Sequence, residues 1–168
     1  YFMGFSNPHL RPEHSTSFDA GISTVVSGPG NHSLELAYFL LNTDDRILFD
    51  PIASVPMNIG KVRSSGFELK YSLGLFKGST NIGLNYSYTS ANKMNSDSLN
   101  DPTFEKQLPA LPKERMGLTL STTIDQVTIN VMYNVVGERF LSSDNARSLP
   151  AYDLTNMNIM WRPFMAQV

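Results

Sequence analysis

The sequence has no cysteine, no long apolar run and no excess of basic charge. The absence of cysteine excludes disulfide frameworks and thiolate metal sites. A net charge of -2 gives no basic surface for binding nucleic acid. No stretch of about 18 consecutive apolar residues occurs, so the sequence predicts no transmembrane helix. That test does not address strands, which need an apolar side chain only at every second position to face a membrane.

Apolar and polar residues instead alternate with a period of two along most of the chain, which predicts β-strands. The alternation is clearest from Gly66 to Leu75, and weaker near Phe39 and Leu41, where the second face is also apolar. From Tyr152 to Trp161 the phase slips near Asn156, which predicts either a β-bulge or a strand end beyond the membrane. An eighth strand is expected near Phe164. The seven predicted strands are residues 18–26, 34–41, 66–75, 81–89, 115–121, 127–136 and 152–161.

The connections between these strands alternate in length. The short ones are residues 27–32, 76–79, 124–126 and 161–164, and the long ones are residues 44–60, 91–112 and 139–150. Every second connection of an antiparallel meander lies on the same rim, and outer-membrane barrels have short periplasmic turns and longer extracellular loops. The sequence therefore predicts an all-β, antiparallel up-and-down meander of about 7–8 strands in the wall of a transmembrane β-barrel.

Candidate catalytic and metal sites are few. His14, Ser15 and Asp19 could suggest a triad, but triads are defined by geometry, and solvated residues near a strand start are the simpler interpretation. Asp44 and Asp45 could bind a hard cation or act in acid–base chemistry, although such a pair is typical of a turn. The other histidines, His9 and His32, belong to no metal-binding motif. We therefore predict no enzyme, no catalytic residue, no cofactor and no metal site.

Charged residues on the predicted strands fall on the polar face, where a wet or plugged barrel interior would accommodate them. These residues are Glu35, Glu68, Lys70 and Arg115. Two arginines of the last long loop, Arg139 and Arg147, could bind an anionic ligand, although exposed arginines are commonly only solvated. The ligand-binding residues are not identified by the sequence.

Six segments resemble, in order, motifs of the TonB-dependent outer-membrane receptors. Residues 7–21 (NPHLRPEHSTSFDAG) resemble the motif that enters a late barrel strand of that family, and residues 108–113 (LPALPK) resemble the element before another strand. The remaining similar segments are residues 37–47, 58–68 (NIGKVRSSGFE), 137–140 (GERF) and 149–156 (LPAYDLTN).

The resemblance implies a receptor with a large barrel, an internal plug and uptake of a scarce ligand such as a siderophore–iron complex, cobalamin or a glycan. It also implies outer-membrane lipid and the TonB complex as partners, the latter through the plug region. Because neither a plug nor the usual final strand is recognisable, we expect residues 1–168 to be a partial barrel domain. The alternatives are a small complete outer-membrane barrel with a structural or adhesion role, and a soluble β-sandwich or lipocalin-like binding module.

Overall fold

A computed structural model describes residues 7–50 and 55–163, apart from the side chain of Asp50. A seven-stranded antiparallel sheet dominates it, in the order β1-β2-β5-β6-β7-β8-β11, and β3–β4 and β9–β10 form two separate hairpins. The all-β meander and its seven strands are confirmed, and the expected eighth strand lies outside the described residues. The strands are β1 (His14–Ser27), β2 (Asn31–Asp44), β3 (Ile47–Asp50), β4 (Val55–Asn58), β5 (Val62–Leu75), β6 (Thr80–Lys93), β7 (Glu114–Ile124), β8 (Val127–Val136), β9 (Arg139–Phe140), β10 (Ser148–Leu149) and β11 (Tyr152–Trp161).

Short and long connections lie at opposite ends of the strands, as predicted. Residues 28–30, 76–79 and 125–126 form tight turns at one end, which we call the turn rim. Phe76, Lys77 and Asp125 there adopt positive φ angles of 51°, 55° and 52°, which suits hairpin turns that match the strand twist. Residues 45–50, 55–61, 94–113 and 137–151 lie at the other end of the strands, which we call the loop rim. No helix in the described ranges is long and apolar enough to cross a membrane.

Continuous strand registers give the sheet two chemically distinct faces. Leu34, Tyr71, Leu84, Leu118 and Tyr133 lie side by side on the apolar face. The adjacent residue on each of these strands lies on the opposite, polar face. This polar row consists of Glu35, Lys70, Asn85, Gly117 and Asn134. Strands of 14 residues such as β5, at about 3.3 Å per residue and a tilt of roughly 45°, cross about 30 Å.

The β-bulge considered near Asn156 is absent. β11 pairs with β8 residue for residue from Tyr152 opposite Val136 to Trp161 opposite Val127. Tyr152 therefore lies on the polar face, and Asp153 lies on the apolar face next to the loop rim. The apparent slip is a change of side-chain polarity along a regular strand. Polarity changes there because this end of β11 belongs to the loop rim.

Large side chains of the apolar face are uncovered, because no second layer packs on it within the described residues. Ile22 is 70% exposed and Leu36 is 45% exposed. Apart from the glycines Gly30, Gly66 and Gly117, the buried residues of the described part of the chain lie near the loop rim, and they are Thr43, Val62, Ala91, Lys93, Gln107 and Pro112. A soluble sandwich would cover its apolar face with a second sheet. No such second sheet covers the apolar face within the described residues.

Candidate functional site at the loop rim

Residues that might have formed a catalytic triad do not converge. His14 and Asp19 are five positions apart on β1, so they lie on opposite faces of the sheet. Asp44 and Asp45 are engaged in ion pairs, with Lys61 at 3.4 Å and with Arg11, respectively. Asp45 has a φ of 55°, in agreement with the turn interpretation of this pair. Among the described residues, no group of three or more His, Asp or Glu is placed to hold a metal ion.

Residues of the first family-like segment fasten the β3–β4 hairpin to the sheet. The backbone N–H of Arg11 donates to Asn58 Oδ1 at 2.9 Å, and Asn58 Nδ2 donates back to the carbonyl of Arg11 at 3.0 Å. The carboxylate of Glu13 pairs with Arg46 at 3.2 Å and accepts the N–H of Ile47. Residues from two separate motifs therefore act as one structural network.

A buried lysine organises the loop of residues 94–113. The ammonium of Lys93 donates to Asp101 Oδ2 and Thr103 Oγ1, both at 2.9 Å, and it also pairs with Asp97. The side chains of Lys93 and Asp101 are only 9% and 7% exposed. A hydrogen bond from the Thr103 hydroxyl, helped by the N–H of Asp97 and by Lys93, holds the pKa of Asp101 well below its usual range. Asp101 therefore stays ionised throughout the neutral range and keeps the cluster charged.

Replacing this lysine should open the loop. In Lys93→Met the buried Asp101 carboxylate would keep its charge without its cation, which is a strongly destabilising arrangement. We expect amide hydrogen exchange of residues 94–106 to accelerate about tenfold or more in the full-length protein. Lys61→Met is the matched control, because Lys61 pairs on the surface with exposed Asp44. Equal exchange rates in the two variants would contradict the role of Lys93.

A second contact joins this loop to the last long loop. The N–H of Gln107 donates to Asn145 Oδ1 at 3.0 Å, and Asn145 Nδ2 donates to the carbonyl of Gln107 at 2.8 Å. The side chain of Gln107 is buried and accepts the N–H of Ala91 at 3.0 Å. The N–H of Ala110 donates to the carbonyl of Phe140 at 2.7 Å. The two loops are thus fixed to each other and to β6.

These contacts leave a cleft between the three loop-rim segments. The cleft, which we call the loop cleft, has a volume of about 500 Å³. The β3–β4 hairpin and the residue that follows it contribute Leu48, Phe49, Met57 and Ile59. The other two loops contribute Pro102, Thr103, Pro109, Leu141, Ser142, Ser143, Asp144 and Arg147. An adjoining cavity of about 260 Å³ shares Leu48, Met57, Ile59, Thr103, Pro109 and Ser143 with it. A cavity of this size with mostly apolar walls is typical of small-molecule sites.

The remaining charged residues separate into two groups. Lys70 and Glu35 lie side by side on the polar face, 3.9 Å apart, and Glu68 and Arg115 lie on the same face. This placement confirms the assignment of all four to the face opposite the apolar one. Arg139, which was grouped with Arg147 in the sequence, lies 5.1 Å from the ring centre of Tyr152. Of the two loop arginines, only Arg147 lines the loop cleft.

Solved structures with the same architecture are large receptors. The ferric yersiniabactin uptake receptor FyuA of Yersinia pestis is 20% identical, with a TM-score of 0.67, and the match covers 88% of this chain and 22% of that one. The unliganded ferric citrate transporter FecA is 17% identical, with a TM-score of 0.74, covering 92% of this chain and 24% of that one. The FrpB iron transporter of Neisseria meningitidis is 15% identical, with a TM-score of 0.61, covering 95% and 26%.

At these identities the likeness is one of fold, and this chain spans about a quarter of each solved chain. These proteins are transporters and receptors, not enzymes. No curated protein matches the sequence. The family described as TonB dependent receptor-like, beta-barrel matches residues 1–167. The fold, the loop-rim motifs and this match agree that the chain belongs to the β-barrel family of the TonB-dependent receptors.

Proposed function

We propose that residues 1–168 form part of the wall of a receptor that takes up a scarce small-molecule ligand across the bacterial outer membrane, driven by TonB. Membership of the TonB-dependent receptor family is the observation that carries the proposal. The uncovered apolar face supports it, because side chains such as Ile22 and Leu36 would contact outer-membrane lipid. The polar face would then line the interior of the barrel.

The two rims give the wall its orientation. The tight turns would face the periplasm, and the loop rim, which carries the loop cleft, would face the outside. The polar face, with Glu35, Glu68, Lys70 and Arg115, would face the plug of the complete receptor. Contact with the TonB complex would be made through that plug region. The open edges of β1 and β11 would pair with further strands, because unpaired backbone groups are not tolerated in lipid.

The family match favours this function over a small complete barrel with a structural or adhesion role. The described strands form an open sheet in which β1 and β11 do not pair. The ligand classes considered are a siderophore–iron complex, cobalamin and a glycan. The three solved receptors named above are receptors or transporters for ferric yersiniabactin, ferric citrate and iron, and this supports an iron complex among the three classes.

Uptake by the full-length protein provides the test. In cells whose only source of the ligand requires this receptor, we expect growth and uptake of radiolabelled ferric chelate to depend on both the receptor gene and TonB. The receptor should fractionate with the outer membrane and migrate faster on gels when unheated. Uptake that persists without TonB, or a soluble receptor, would contradict the proposed function. A gene only slightly longer than this chain would favour the small barrel.

A further inference from the structure

The loop cleft combines apolar walls with a position where water is expected. Phe49 is 52% exposed, Met57 is 39% exposed and Leu141 is 49% exposed. All three lie on loop-rim segments, beyond the ends of the long strands, so lipid in contact with the apolar face would not cover them. Clustered apolar side chains that face water commonly mark a binding site. The cleft is therefore suited to the apolar body of a ligand.

The carboxylates around the cleft are already satisfied by loop donors. A hydrogen bond from the Ser142 side chain lowers the pKa of Asp144, with smaller contributions from the N–H of Ala146 at 3.0 Å and from Lys106. Asp97 and Asp101 in the adjoining cavity both pair with Lys93. These three carboxylates are hydrogen-bonded or ion-paired to donors of their own loops.

Arg147 is different, because its guanidinium forms no ion pair with any described residue. Its backbone is nevertheless fixed, since its N–H donates to Ser142 Oγ at 3.2 Å and its carbonyl accepts the N–H of Leu141 at 2.8 Å. Lys106, in the lining of the adjoining cavity, also lacks an ion pair within the described ranges. Arg147 is therefore the cation of the cleft lining that has no ion pair, whereas Lys106 lies near enough to Asp144 to lower the pKa of that carboxyl. A guanidinium in such a position is well matched to a carboxylate.

We propose that the loop cleft binds an organic anion whose apolar body contacts Leu48, Met57 and Leu141 and whose carboxylate pairs with Arg147. The proposal rests on the proposed function for its biological setting and narrows its ligand to an anionic chelate with an apolar part. A neutral glycan would leave the guanidinium unpaired and would cover few of these apolar side chains with its hydroxyl-rich surface.

The test uses the full-length receptor in lipid nanodiscs and three probes measured by isothermal titration calorimetry. 4-Phenylbutyrate has an apolar body and a carboxylate, 4-phenylbutanol lacks the charge, and citrate lacks the apolar body. We expect 4-phenylbutyrate to bind more tightly than the other two. Arg147→Gln should weaken its binding about tenfold and leave 4-phenylbutanol unchanged. Arg63→Gln is the matched control, because Arg63 lies at the loop-rim end of β5, donates to Asn42 and does not line the cleft. This variant should bind the probes like the native receptor.

Three results would overturn the proposal. They are unchanged 4-phenylbutyrate binding in Arg147→Gln, equal loss in Arg63→Gln, and no probe binding because another part of the receptor fills the cleft. These outcomes are separable from the proposed function. TonB-dependent uptake with probe binding that ignores Arg147 would refute the cleft assignment alone. Arg147-dependent probe binding in a protein without TonB-dependent uptake would refute the proposed function alone.

Discussion

Replacing Leu118 with arginine should sharply reduce the amount of folded receptor in the outer membrane. Leu118 lies near the middle of β7 on the apolar face, between Leu84 of β6 and Tyr133 of β8. An arginine on the lipid side of a barrel costs about 2–4 kcal/mol at the bilayer midplane. That cost is a large fraction of the 5–15 kcal/mol by which folded proteins are usually stable. The readout is the fraction of full-length receptor that shows heat-modifiable gel migration.

The matched control places the same side chain on the other face. Asn130 of β8 lies on the polar face, opposite Ser121 of β7 and Asn158 of β11. Asn130→Arg should fold almost as well as the native receptor, because that face would line a polar interior. Leu118→Met should also be tolerated, since it preserves apolar character and volume. Equal losses for Leu118→Arg and Asn130→Arg would show that the two faces do not have different surroundings.

The strands and the order of connections could be predicted because they depend on local patterns. Alternation places every second side chain on one face, and this rule holds along β5, β6 and β8 as predicted. Several observed strands are longer than the predicted segments, because polar residues that were assigned to loops continue the strand pairing. Strand β6, for example, ends at Lys93, whereas the predicted segment ended at residue 89. The short β3–β4 hairpin within residues 44–60 was missed, because four-residue strands carry too little alternation to be recognised.

The site at the loop rim could be predicted only in part. Arg147 was recognised as a possible anion-binding residue, but its separation from Arg139 depends on how the last loop folds. The Lys93 cluster joins residues 4 and 8 positions apart through a loop whose path no periodicity specifies. The contact between Gln107 and Asn145 joins residues 38 positions apart. Such contacts arise from tertiary packing, and a single sequence contains no local pattern for them.

Strand β11 shows how a local pattern can mislead. Tyr152 and Leu154 suggested an apolar face that continued out of phase with Met157. The pairing with β8 keeps one register and turns Tyr152 toward the polar face, where its ring lies against Arg139. Alternation predicts the faces of a strand only where each face has one kind of surrounding. Near the loop rim each face of a strand no longer has a single kind of surrounding. There, contacts with the loops decide whether a polar or an apolar side chain is suitable at a given position of the strand.

Replacing Gly66 with alanine should be the most damaging small change on the polar face. Gly66 of β5 pairs with Phe39 of β2, and the Phe39 ring packs over it. A Cβ at this position would overlap the carbonyl oxygen of Tyr88 on β6 and would come within 2.9 Å of the ring. Relief requires movement of a backbone that is hydrogen-bonded in the sheet. We expect Gly66→Ala to lower the free energy of unfolding by about 1–3 kcal/mol, measured by urea denaturation of the full-length receptor.

Gly74 supplies the comparison, because it lies on the same strand and the same face. The atom nearest to a Cβ at Gly74 would be Asn81 Oδ1 at 3.4 Å, an ordinary contact. Gly74→Ala should therefore be neutral or slightly stabilising, since alanine loses less conformational entropy on folding than glycine. Adding Phe39→Leu to Gly66→Ala would relieve the ring but not the Tyr88 carbonyl, so only partial recovery is expected. Full recovery would instead identify the ring as the sole obstacle, and equal stability of the two alanine variants would contradict the close approach of β5 and β6 at Gly66.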